Sequence, residues 1–534
     1  MKKGGRAVKK WLCFLLTGCM LLGCLAGCGP DDGLGGGFRF TIAAEPSALD
    51  PQMATDDAAV TVLCTLFEGL TRLDESGKAV PAAADWSVSE DGLTYTFTLK
   101  EGYWNTNPVK GKEQPWDVNL PVTADDFLFA FERLGDPVTD SPLAGELAGI
   151  QDVTATDERT LTVTLSNPDD EFPARMATSP FFPCHRAFFE ATAGRYGLEE
   201  QYLLSNGAFR LAAWNHNESL LLYKFEQYRE AAQIAPEAVR FVIGNPDPVA
   251  ALQAGDLSAA PLTQTQLAQA GGISTVSLND SVRSLWFNTS ADPLAEPHLR
   301  RALRDSIQWD SVDAYLNDTG EAIAHGYVPP AATVDGVLYR GADNALPRQT
   351  DTAAATKSLQ AALKALYPDQ SITPSRIKLT LLAAEDTVSA DLARYILQSW
   401  QKNLGITVTL TLVSETELAK RVKNGNYQVA LYTHTPTGLT GGENLASFAS
   451  TAPDNLARLV DKEVDAVLTV AKGGNATQVH AAELAVWNAC PAIPISFPSR
   501  YYGFADNVED IVVRPFGGGR YQAPLDFRKA KQYD

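Results

Sequence analysis

Cysteine is scarce wherever it could build a framework. Of seven cysteines, Cys13, Cys19, Cys24 and Cys28 crowd into the first twenty-eight residues, which leaves only Cys64, Cys184 and Cys490 for the rest of the chain. Three cysteines make at most one bridge and match no metal-ligand spacing, so buried free thiols are expected. The six histidines (His185, His216, His298, His325, His434 and His480) are scattered and form no paired-ligand motif. A structural metal is not expected. Basic residues are outnumbered, 44 Lys and Arg against 64 Asp and Glu, for a net charge of −20. That balance argues against nucleic acid or an anionic membrane surface as partners, since both ask for a basic face. The one long apolar run, Trp11 to Ala26, is shorter than the ~20 residues of a spanning helix. There is no internal repeat, phosphate-binding loop, nucleophile elbow, dinucleotide fingerprint or kinase signature. Nothing supplies a nucleophile with its base, so neither catalysis nor a cofactor is expected.

What is present begins at the N-terminus. Lys2, Lys3, Arg6, Lys9 and Lys10 precede the apolar run, which closes in Leu25-Ala26-Gly27-Cys28 followed by Gly29-Pro30-Asp31-Asp32. This order is that of an export signal with small residues at its cleavage site. The four residues ending at Cys28 resemble the lipobox of bacterial lipoproteins, which implies a diacylglycerol on the Cys28 thiol and removal of residues 1–27. Gly18-Cys19 and Gly23-Cys24 are weaker rivals, because cleavage there would leave apolar residues at the new terminus. Two acyl chains hold a protein stably on a membrane. Residues 28–37, rich in glycine, then read as a flexible tether.

Along the remaining chain, Phe38 to Ile42 alternates as a strand, and Glu45-Pro46-Ser47-Ala48-Leu49-Asp50-Pro51 breaks regularity. A helix is expected from about Ala58 to Leu66, and strands over Leu93–Leu99, Leu161–Leu165, Leu220–Tyr223, Val239–Ile243 and Ser284–Asn288. Thr123-Ala124-Asp125-Asp126 reads as a helix start rather than a pair of catalytic acids. The pairs Asp56-Asp57 and Asp169-Asp170 read as solvated loops, and Trp86, Trp104, Trp116 and Trp214 as packing residues. From Ile377 the pattern becomes strand, long helix, strand, helix, strand up to Tyr432, which signals α/β units; Ile493 to Phe497 adds a late strand.

Certain runs carry more than secondary structure. Glu45 to Pro51, Leu66-Phe67-Glu68-Gly69-Leu70-Thr71, Asp91 to Leu99, Pro121 to Phe127, Ser205-Asn206-Gly207-Ala208-Phe209, Trp286-Phe287-Asn288-Thr289, Leu299 to Leu303 and Gly326-Tyr327-Val328-Pro329-Pro330 occur in this order. Together they resemble the oligopeptide-binding proteins of ABC importers, solute-binding family 5. The resemblance implies an α/β, two-lobed periplasmic-binding-protein-like fold (type II, cluster C) with an extra domain inserted in the first lobe. Carried onto this chain, the first lobe would comprise residues 38–67, 172–282 and 493–534, the inserted domain 68–171 and the second lobe 283–491. The implied function is a lipid-anchored monomer on the outer face of the cell membrane that captures oligopeptides between closing lobes and delivers them to an ABC permease. The alternative is the same scaffold holding an oligosaccharide, a metal chelate or a modified peptide.

By the same resemblance, Thr55, Asp56 and Asp57 lie in a ligand-contacting loop of the first lobe, and Thr433, His434, Thr435 and Thr437 line the cleft from the second. Glu415 and Phe497 fall at further contact positions. Peptide binders of the family hold the peptide α-ammonium with an aspartate where this chain has Thr437. Burying an ammonium without a partner costs several kcal/mol. Glu443, Asp56 or another acid is therefore expected to replace that anchor, unless the ligand lacks a free amine.

Overall fold

The computed structural model describes residues 37–533 apart from 76, 106–118, 246, 369, 371, 453 and 519–520. Cys28, nearly all of the tether and Trp116 lie outside the described residues.

Phe38, Phe40 and Ile42 share one face of the strand Phe38–Ile42, and all three are buried. That strand is central in a seven-stranded sheet of order Ser274–Leu278, Arg500–Phe504, Ala259–Leu262, Phe38–Ile42, Ala238–Ile243, Ser219–Lys224 and Phe209–Asn215. Its core gathers Phe38, Phe40 and Phe241 around Phe527, with ring centroids 5.1, 5.5 and 5.8 Å from that ring. A second sheet runs Ala322–Ile323, Ala492–Phe497, Val282–Phe287, Val429–His434, Lys378–Ala384 and Thr407–Val413. Helices Pro297–Asp305, Thr352–Leu366 and Thr387–Leu404 cover it and bury Phe287 and Trp400. The third sheet, Ala84–Val88, Thr94–Leu99, Thr160–Leu165 and Ile150–Asp157, packs against the helix Ala124–Gly135. Thr123 and Asp126 cap that helix reciprocally, so the paired acids do serve as a helix start.

The sheets move three expected boundaries. Ala492–Phe497 pairs with Val282–Phe287 and Ala322–Ile323, so the chain leaves the second sheet after Phe497 and re-enters the first at Arg500, not at Ile493. All six residues of that strand are buried, the signature of a central strand, and no sequence break precedes it to announce which sheet takes it. Val282 likewise already pairs with His434 in the second sheet. Phe172, Met176 and Phe181, placed in the first lobe by sequence, bury their side chains in the core of the third sheet.

Polar networks join the third body to the first. Arg133, on the helix Ala124–Gly135, donates to both carboxylate oxygens of Asp50 at 3.0 and 2.6 Å and to Gln52 Oε1 at 2.6 Å, while its guanidinium lies 4.0 Å from the Phe189 ring centroid. Asn206 accepts from Glu68 N at 3.0 Å and donates to Glu68 O at 2.9 Å. The Glu68 carboxylate takes the Tyr228 hydroxyl at 2.7 Å and pairs with Arg229. Beside these pairs lies a cavity of about 80 Å³ lined by Arg72, Arg514 and Asp526 among others, room for several waters. In the second body, Glu483 is fully buried and accepts from Tyr327 N at 2.6 Å, Val328 N at 3.0 Å and Arg340. Thus Asp50, Glu68, Asn206 and the Gly326–Pro330 turn, all in runs that stood out in the sequence, are structural parts.

Cys64, Cys184 and Cys490 are free; Cys184 and Cys490 are buried and Cys64 half-buried. Among the described residues no helix is long and apolar enough to cross a membrane.

Candidate functional site

In the second sheet, Lys378–Ala384, Thr407–Val413 and Val429–His434 run parallel, with Lys378–Ala384 between the other two. From it the chain crosses first to one neighbour and then to the other. Such a reversal opens a crevice at the carboxyl ends of the strands, where open α/β sheets take their ligands. Glu415 stands in the first turn of the helix Glu415–Lys423, directly after one of those ends, and is exposed. Thr433 and His434 close the other, and Thr435 to Thr437 follow it.

The first sheet contributes the chain that leaves Ile42. It runs through exposed Thr55 into the helix Asp57–Leu66. Asp56 is the N-cap: one carboxylate oxygen accepts from Ala59 N at 2.8 Å and the other from Ser47 Oγ at 2.6 Å. Asp57, one residue on, is exposed, and among the described residues its carboxylate has no hydrogen-bond partner.

Tyr432 brings the two sides together. Burial raises the pKa of its phenol, and the charges of Glu415 and then Asp57 raise it further. A carboxylate from each lobe therefore lies near enough for its charge to act on this half-buried residue. Arg500 borders the same place: burial opposes its charge, but Asp280, Tyr502 and Asp57 outweigh that opposition and its pKa is raised.

The other expected site residues are placed differently. Glu443 accepts from Thr440 N and Oγ1, both at 2.9 Å, in the capping box of the helix Gly441–Leu445. Its charge also raises the pKa of Glu171, a group lifted first by burial, across the rim from the third body. Thr435 Oγ1 lies 2.7 Å from Ser281 Oγ, and Thr437 is exposed. Thr433 pairs with Arg283 within the sheet. His434 meets Trp286 edge to face at 5.8 Å, and its Nε2 is buried with no hydrogen-bond partner among the described residues. Burial holds that imidazole below its ordinary pKa. Phe497 packs into a small core with Val282 and Ala324. Sequence reasoning missed Tyr432 and Arg500. Tyr432 was legible only as the last residue of an expected strand, and Arg500 lay in the irregular chain beyond Phe497.

The rim is shut on one side. Gly77, at φ +84° in the turn before Ala79–Pro81, lies so close to Leu439 that an added Cβ would sit 2.7 Å from Leu439 Cδ1. A turn of the third body thereby touches the loop that follows the cleft strand of the second.

Comparison with known proteins agrees with this geometry. The chain is similar to the dipeptide-binding protein DppE of Bacillus subtilis, 26% identical over 500 residues and covering 89% of each chain. It is similar also to YgiS of Escherichia coli, described as a "Probable deoxycholate-binding periplasmic protein", at 27% identity over 86% of this chain and 88% of that one. The solved murein tripeptide-binding protein MppA of Escherichia coli superposes with a TM-score of 0.72 at 26% identity, covering 93% of this chain and 98% of that one. The family model for bacterial extracellular solute-binding proteins, family 5 (middle), matches residues 79–455. With a two-lobed fold, a crevice between the lobes and this match, the chain belongs to the bacterial extracellular solute-binding proteins of family 5.

Proposed function

We propose that the chain captures oligopeptides between its lobes and delivers them to the permease of an ABC importer, without chemistry of its own, while anchored through lipid at Cys28. The body near residues 68–171 is read as an insertion in the first lobe. A peptide backbone offers the same donors and acceptors whatever its side chains, so a cleft that pairs with it binds many sequences. A micromolar ligand needs only about 8 kcal/mol, within reach of such pairing in an enclosed crevice.

The observation that carries this reading is the exposed pair Asp57 and Glu415, one from each lobe, whose charges both act on Tyr432. Both are exposed and without hydrogen-bond partners among the described residues, whereas Asp56 and Glu443 are occupied as helix caps. We assign the peptide α-ammonium to Asp57 and Glu415, which take over from the aspartate replaced by Thr437. A cation held by both would favour the closed form, because it bridges the lobes.

Native mass spectrometry on the body after Cys28, followed by denaturation, identifies the ligand that co-purifies. A ladder of short peptides is expected; a single non-peptide mass overturns the reading. For the anchor, Asp57→Asn and Glu415→Gln are each expected to weaken a free-amine peptide about tenfold, the scale of one hydrogen bond to a charged group. The N-acetylated peptide should bind all forms alike. Equal loss for both peptides would refute the assignment.

A further inference from the structure

The chain passes between the lobes at Leu278–Val282 and again at Phe497–Arg500, and the two passes are bonded to each other. Ser499 Oγ donates to Asn279 Oδ1 at 2.6 Å, and Arg500 holds the Asp280 carboxylate through Nε at 2.9 Å and through Nη2. Asp280 is fully buried, and two more donors reach it: Ser281 Oγ, 3.3 Å from Oδ1, and the backbone N–H of Phe516, 2.7 Å from Oδ2.

Phe516 belongs to a C-terminal segment that otherwise sits on the first lobe and the third body. There Val508–Glu509 pairs with Lys531–Gln532, Val512–Val513 pairs with Leu525–Asp526, and Leu525, Phe527 and Ala530 enter the first core. Phe516 alone turns the other way. Its ring, 3% exposed, is part of the core of the second lobe. Its backbone is left-handed at φ +57°, a conformation a bulky residue adopts only where its surroundings enforce it. Two residues earlier Arg514 is fixed on the other side, donating to Leu73 O and Asp74 O, each at 3.1 Å, and to Asp526 Oδ2 at 3.0 Å. Two residues of extended chain span at most about 7 Å. As long as Arg514 stays bound and Phe516 stays in its core, the lobes cannot swing apart beyond that reach.

We propose that Arg514–Phe516 is a strap that limits how far the lobes open, with Asp280 and Arg500 as its latch. The inference rests on the solute-binding reading only in that the lobes must part to admit a ligand. Its amplitude is set by covalent length, as in hinge motions whose range is fixed by a few terminal residues.

The test needs no ligand, so its outcome is independent of what the cleft binds. Spin labels on Leu198→Cys in the first lobe and Val460→Cys in the second, both exposed positions, report the interlobe distance by pulsed electron resonance. The native thiols label slowly because burial raises their pKa, to about 12 for Cys64 and Cys184. Phe516→Ala should broaden the distance distribution of the empty protein toward longer values, and Phe516→Leu, which keeps an apolar plug, should leave it narrow. Asp280→Asn, which keeps the side chain's size but weakens the Arg500 pair, should broaden it less. If Phe516→Ala fails to fold, the Asp280→Asn distribution decides alone. An unchanged distribution in the folded Phe516→Ala protein, or in Asp280→Asn if that variant decides, would overturn the strap.

Discussion

Two junctions in this molecule are built on opposite principles. Where the third body meets the first, buried ion pairs and side-chain-to-backbone bonds are spread over separate segments: Arg133 with Asp50, Arg229 with Glu68, Asn206 with the Glu68 backbone. Where the two lobes meet, one fully buried carboxylate, Asp280, gathers the passes, with the Ser499–Asn279 and Ser281–Thr435 bonds close by in the chain; farther out Gly77 comes up against Leu439. A junction with many satisfied buried polar groups resists any relative movement, because each opened pair exposes an uncompensated charge. A junction with its polar bonds at one point allows rotation about that point. The first and third bodies therefore move as one unit, and the second moves against them.

The largest effect expected from breaking this contrast is at the rigid junction. Arg133→Leu leaves the Asp50 carboxylate buried and unpaired and should cost about 3–5 kcal/mol of stability, read as a lower denaturant midpoint. The same change should leave the affinity of the surviving folded protein near normal. Next comes the rim. Gly77→Ala places a methyl against Leu439 at a backbone conformation that disfavours a side chain, and peptide affinity should fall about three- to tenfold by calorimetry. Combining it with Leu439→Ala should recover much of that loss, since the obstructing atom ends a flexible side chain. The smallest effect concerns pH. Burial holds the His434 imidazole below its ordinary value, so the unfolded chain takes up the proton first as pH falls through about 6.5. Stability contributed by the neutral ring is complete above that pH and lost on acidification; the thermal midpoint should drop between pH 7.5 and 5.5, and less steeply in His434→Phe.

Much of the fold was legible because alternation marks half-buried strands. Phe38–Ile42 and Thr94–Leu99 show it, and Thr123 with Asp126 announced a helix. Less legible was the strand Ala492–Phe497, buried on both faces, since an apolar run names no sheet and pairing is decided by distant chain. The alanine-rich helix Ala476–Ala489 also escaped, because alanine blurs the contrast between apolar and polar faces. For the site, the resemblance named Asp56, Asp57, Glu415 and Glu443 alike, and it could not distinguish carboxylates already used as caps from those left open. That distinction depends on where each helix begins to the residue, the least certain feature of any sequence reading. The conspicuous runs, meanwhile, marked joints: Asp50, Glu68 and Asn206 hold bodies together.

Burial raises the pKa of Glu171, and the charge of Glu443 in the second body raises it further, against a smaller opposing effect of Lys472. A receptor that only captured would gain from an attractive rim, but one that must also let go does not. Like charges brought together on closing would act as a weak spring, softened by Lys472: they would work against a shut empty cleft and store a little repulsion whenever a ligand holds the lobes together. Part of the work of release is thus done at the moment of capture, and the repulsion is felt most in dilute salt, where screening is weakest.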